Sequence, residues 1–123
     1  MPLVSEMADV IGGSKDLRVL PVIGFGTIQN VRDLLQLKSI DIGLVHSDVF
    51  TYLQQRNLYP TAQEKLRYIV NLNDELFHIV AHANIRDVKQ LAGRKVIVAK
   101  PGSGSEMSAH TLFTILGIKP VYV

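Results

Sequence analysis

Short apolar runs alternate with helix-period segments along almost the whole chain, and glycine, serine or proline stands at the junctions. Leu3, Met7, Val10 and Ile11 recur at helical spacing before Gly12 and Gly13 stop the pattern. Residues 17–23 (LRVLPVI) read as a buried strand, with Pro21 suggesting an edge or irregular position. After Gly24-Phe25-Gly26, residues 27–37 place Ile28, Val31, Leu34 and Leu35 on one helical face. Residues 40–45 form a second strand and 47–55 a short helix, followed by a polar loop over 57–63 around Pro60. Two further strands, 67–72 and 76–83, are split by Asn73 and Asp74. A helical turn over 87–91 closes at Gly93, a strand covers 95–100, a helix 105–116 ends at Gly117, and 120–123 begins another strand. Such alternation predicts an α/β fold, a mainly parallel sheet with flanking helices.

Composition narrows the function. The 123 residues are 47% apolar and 20% charged, which suits one globular domain or two small lobes. A net charge of +2, spread over singly placed Lys and Arg, gives nucleic acid no basic face to bind. With no cysteine, disulfides and thiolate metal sites are excluded. No apolar run approaches the roughly 18 residues of a membrane span. The opening MPLVSEMADV has neither the basic nor the apolar region of a secretory signal.

Three strand-to-helix junctions carry the chemistry, because ligands of open parallel sheets sit at the carboxyl ends of strands. They are Gly24-Phe25-Gly26-Thr27, His46-Ser47-Asp48 and Pro101-Gly102-Ser103-Gly104-Ser105. Each sets small or hydroxyl residues at a helix N-terminus, where free N–H groups and the helix dipole attract an anion. Ser47 and Ser103 also serve as ordinary N-caps, and Ser103 with Glu106 satisfies the capping-box spacing. Glycine on both sides of Ser103 favours a ligand, since capping needs neither while close backbone approach does.

Other chemistries lack their parts. PGSGSEMS has no lysine after its glycines to reach a terminal phosphate, and Gly24-Phe25-Gly26 is only half a dinucleotide fingerprint. His78 and His82 share a strand face but stand about 13 Å apart, too far for one metal ion. No G-x-S-x-G elbow and no nucleophile–base–acid set occurs, so no catalytic residue, metal site or cofactor is expected.

With these motifs in place, the chain resembles the extracytoplasmic solute receptors of TRAP transporters, of the TAXI type. Residues 40–48 match the family's strand ending in V-Q-S-D, with His46 in place of glutamine. Residues 87–96 match D-L-K-G-K-R-V, and 102–106 match its Gly-Ser-Gly-Thr-Glu turn with Ser105 in place of threonine. Upstream, Gly26, Thr27, Asn30, Val31 and Leu34 fit another family segment.

The resemblance implies a type II periplasmic-binding-protein fold, here as two incomplete lobes. Residues 1–74 would be the first-lobe portion, 75–84 a crossover strand and 85–123 the start of the second lobe. The implied function is binding a small organic anion or amino acid, glutamate-, glutamine- or dicarboxylate-like, without chemistry. Thr27, His46, Ser47 and Asp48 would face the ligand from one lobe, and Gly102, Ser103, Gly104 and Ser105 from the other. His46 offers either a pH-dependent charge or a side chain satisfied by a neighbouring turn. The implied partners are the transporter's membrane subunits, and the implied location is periplasmic.

Family members are longer and carry a signal peptide, so the chain is expected to be an internal or truncated piece. Uncovered apolar runs at 76–83, 95–100 and 118–123 then lead us to expect a homodimer or higher oligomer. The alternative is the effector-sensing domain of a transcription regulator, which shares the two-lobed fold. No helix-turn-helix accompanies it here.

Overall fold

The computed structural model describes residues 2–13 and 16–123. Met1, Ser14 and Lys15, which fall in the expected 1–74 portion, lie outside them. Helix α1 (Pro2–Gly12) follows the Leu3, Met7, Val10, Ile11 spacing, although Val10 stays exposed. Helix α2 (Thr27–Gln36) buries Val31 of the apolar face read from the sequence, and Thr27 outside that reading.

Helix α3 (Val49–Gln55) buries Val49 and Leu53. It ends in a Schellman motif at Asn57, whose φ of 51° is left-handed: Leu58 N–H donates to Leu53 O at 2.8 Å and Asn57 N–H to Gln54 O at 3.1 Å. The polar loop expected over 57–63 therefore runs into a short helix α4 (Ala62–Lys65) that buries Ala62.

Next comes a 3-10 turn, Val88–Leu91, opened by a capping box in which Asp87 Oδ1 accepts from Lys89 N–H at 2.7 Å. Strand β1 (Lys95–Val96), helix α5 (Gly104–Ile115) and strand β2 (Val121–Tyr122) then make one βαβ unit. The strands run parallel, with Lys95 opposite Val121 and Val96 opposite Tyr122. Gly117 (φ 67°) closes α5 by a second Schellman motif, with Ile118 N–H donating to Phe113 O at 2.9 Å.

Two small clusters form the core. Val31, Val49, Leu53, Ala62 and Met107 make the first, and Leu91, Ala109, Phe113 and Ile118 the second. Helix α5 supplies both, sending Met107 to one and Ala109 and Phe113 to the other.

The sheet is smaller than the sequence predicts. Among the described residues the only ladder joins β1 to β2. Residues 17–23, 40–45, 67–72 and 76–82 have no strand pairing, a turn replaces the expected strand at 83–84, and the 95–100 strand is paired only at Lys95–Val96. A parallel sheet needs cover on both faces. Here the helices pack on the two clusters and leave these runs bare, so Ile23, Ile69, Leu76 and Val80 are each at least 80% exposed. What stands is an α/β arrangement with a two-stranded parallel sheet.

Candidate functional site

The first junction is built for close approach. Gly26 takes φ 155° and ψ 172°, a conformation open essentially to glycine, and the chain enters α2 through it. Thr27 is buried, and its Oγ1 accepts from His46 N–H at 3.4 Å. Asn30 Nδ2 donates to Leu44 O at 2.7 Å. Side chains of α2 thus stitch the first junction to the second.

At the second junction the expected cap is absent. The N-cap of α3 is Asp48, not Ser47, and its side chain makes no capping bond. Ser47 is exposed, and its carbonyl instead accepts from the Tyr68 hydroxyl at 2.6 Å, so a distant tyrosine rather than a local cap fixes this helix start. His46 Nε2 lies 3.4 Å from Glu75 Oε2.

The third junction is as the sequence suggests, with one shift. Ser103 Oγ accepts from Glu106 N–H at 3.2 Å. The Glu106 carboxylate reaches back to Gly102 N–H at 3.2 Å, one residue beyond the position a capping box uses. Its other oxygen meets His110 Nε2 at 2.8 Å, and His110 Nδ1 lies 3.0 Å from Arg56 Nη2. The Tyr122 ring of β2 lies against the same imidazole, with centroids 4.1 Å apart and planes tilted by 52°.

These junctions meet. A Cβ on Gly26 would overlap the carbonyl oxygen of Gly102 and stand 3.2 Å from Ser103 Cα. A Cβ on Gly104 would overlap the His46 imidazole. Thr27, His46, Gly102, Ser103 and Gly104 therefore gather at one place, whereas Ser47 and Ser105 are exposed and Asp48 sits near Tyr68.

Sequence patterns alone do not single out Arg56 and His110, although the Glu106–His110 spacing of one helical turn is a signal for that pair. Nor do they single out Arg32 and Lys100. These line a groove of about 210 Å³ beside the junctions, together with Phe25, Ile28, Tyr59 and Gly102. Among the described residues, no cluster of three His, Asp or Glu could hold a metal ion, and no helix is long and apolar enough to cross a membrane.

Three phenols around the site titrate late. Burial raises the pKa of Tyr68, and the Asp48 carboxylate adds to it. Burial also raises Tyr52, with Glu106 adding and Arg56 opposing. Tyr122 is raised by burial first, with Arg56 opposing and Glu106 adding. A folded-state pKa above the unfolded 10.0 gives stability that is whole below pH 10.0 and lost as pH climbs through the raised values. Thermal melts followed by circular dichroism should therefore show the melting temperature falling above pH 10.0, with a shallower fall in Tyr68→Phe. An identical slope in that variant would remove Tyr68 from the account.

The model of the NMT1-like family matches residues 6–122, while no solved structure matches the chain. The chain belongs to that family, which is periplasmic binding protein-like.

Proposed function

We propose that this NMT1-like chain is the receptor component of a TRAP-type transporter, of the TAXI type, and carries a small organic anion or amino acid without transforming it. The family supports solute binding in general and an extracytoplasmic location. The observation that carries the finer reading is the meeting of Thr27, His46 and the start of α5 through Gly26 and Gly104. That meeting sets the Gly102 turn beside Arg32 and Lys100 in one groove, and such cations next to helix starts suit a carboxylate that is held and released. The resemblance implies a glutamate-, glutamine- or dicarboxylate-like ligand, and the partners in this reading are the transporter's membrane subunits. Calorimetric titration with a panel of organic acids, amino acids, sugars and peptides tests it. Binding of an acid or amino acid supports the reading; binding of sugars or peptides alone overturns it.

Self-association belongs to the same reading. The accessible surface is 9510 Å², against about 6,600 Å² for a compact chain of this mass. The excess is well above the roughly 800 Å² that each partner buries in a standard interface. It includes the run 67–82, where Ile69, Leu76 and Val80 are exposed on backbone with no ladder partner. A second copy of the chain offers the same unpaired apolar runs, and we expect it to cover them. Light scattering at micromolar concentration should give at least twice the 13.6 kDa chain mass. A monodisperse species at the chain mass would overturn this expectation.

A further inference from the structure

We infer that the groove between α2 and the Lys100–Gly102 turn seats a small monocarboxylic acid with an apolar body about the size of one ring. The inference rests on the reading that this chain carries an organic anion, and it sets a monocarboxylate in this groove against the glutamate-, glutamine- or dicarboxylate-like ligand that the resemblance implies.

The junctions themselves touch, with Gly26 against Gly102 and Gly104 against His46. Open space lies beside them instead, in the groove of about 210 Å³. That is below the ~300–1,000 Å³ of pockets for drug-sized ligands, so the occupant is small.

Charge selects an anion, and a singly charged one. Among the described residues no carboxylate pairs with Lys100, whose Nζ lies 5.6 Å from the centre of the Phe25 ring. Arg32 gives Nε–H and one Nη2–H to Asp33 Oδ1, at 3.2 and 3.1 Å. An exposed pair between sequence neighbours holds weakly, and the remaining guanidinium donors are left for a second carboxylate. Two cations beside one carboxylate leave a surplus of a single positive charge. A zwitterionic amino acid would bring its ammonium to this surplus, with Asp33 already bonded to Arg32 and to the Gln29 amide at 3.2 Å. A dicarboxylate would bring one charge too many.

The walls select an apolar body. Phe25, Ile28, Tyr59 and Pro101 line the groove. Tyr59 is held there by a left-handed backbone of φ 43°, which a bulky residue rarely adopts. Aromatic faces and a nearby cation together fit a ring bearing a carboxylate.

Titration calorimetry of the intact chain with phenylacetate, succinate, glutamate and inorganic phosphate decides it. Phenylacetate should bind at least tenfold more tightly than the other three. Arg32→Gln and Lys100→Gln, both exposed positions whose folding is checked by circular dichroism, should each weaken it by about tenfold or more. Unchanged phenylacetate binding in both variants overturns the groove. So does an acid whose binding survives both variants but falls in Ser103→Ala, an outcome that leaves the carried-anion reading standing. Silence across this panel overturns the groove, and silence across the wider acid and amino-acid panel overturns the reading beneath it.

Discussion

Gly26→Ala is expected to lower the melting temperature by roughly 10 °C, from about 1–3 kcal/mol of backbone strain plus a similar cost of overpacking. Both costs arise at one residue. The φ of 155° excludes a side chain in comfort, and the added methyl group would meet the Gly102 carbonyl, which is backbone and cannot swing aside. Gly102 and Gly104 separate the two contributions. Gly102 has φ 81° but nothing within 4 Å of the place a methyl group would take, so Gly102→Ala brings strain alone, about 1–2 kcal/mol. Gly104 has no left-handed φ, and the atoms nearest its methyl group would be those of the His46 ring, which is able to turn at the expense of its contact with Glu75. Thermal melts of the three variants should rank Gly26→Ala as the most damaging. Equal melting of Gly26→Ala and Gly102→Ala would show that the close approach of the junctions contributes nothing.

Met107→Ala is expected to cost about 2–5 kcal/mol, a large share of the roughly 5–15 kcal/mol that holds a domain. Met107 is fully buried among Val31, Val49, Leu53 and Ala62, and those neighbours come from α2, α3 and α4. A cavity there loosens the grip of three helices on α5. Because Ala109 and Phe113 on the same helix fill the second cluster, damage to the first should reach the second. Urea unfolding followed by tyrosine fluorescence and by hydrogen exchange at Phe113 and Ile118 should report one shared, earlier midpoint. Exchange at those two amides unchanged from the parent chain would mean that the clusters unfold separately.

What can be read from the sequence is what local chemistry decides. Helix α5 is written into its own ends: Ser103 caps Glu106 N–H, and Gly117 supplies the left-handed residue that stops it. The start of α3 is not, because Ser47 is held by Tyr68, 21 residues away, and neither Ser47 nor Asp48 caps with its side chain. Helix α4 escapes because Asn57 and Pro60 mark a loop by composition, while the Schellman closure at Asn57 leads straight into the next turn of helix. The apolar runs at 17–23 and 67–82 form no strand, because pairing depends on partners that no local pattern names. The same holds for the site. Glycine and serine announce the junctions, whereas the contact of Gly26 with Gly102 joins residues far apart in the chain. Arg56 and His110, 54 residues apart, meet for reasons that lie in the packing of α3 on α5.

The sharing of α5 between two clusters also fixes an order of events on the ribosome. Residues 27–66 carry Val31, Val49, Leu53 and Ala62, yet Met107 is added some forty residues later. At about 5–20 residues per second the nascent first cluster waits about two to eight seconds for its last side chain. Through that interval its apolar faces, and the run 67–82 behind them, are open to any holdase or translocation factor that binds extended apolar chain.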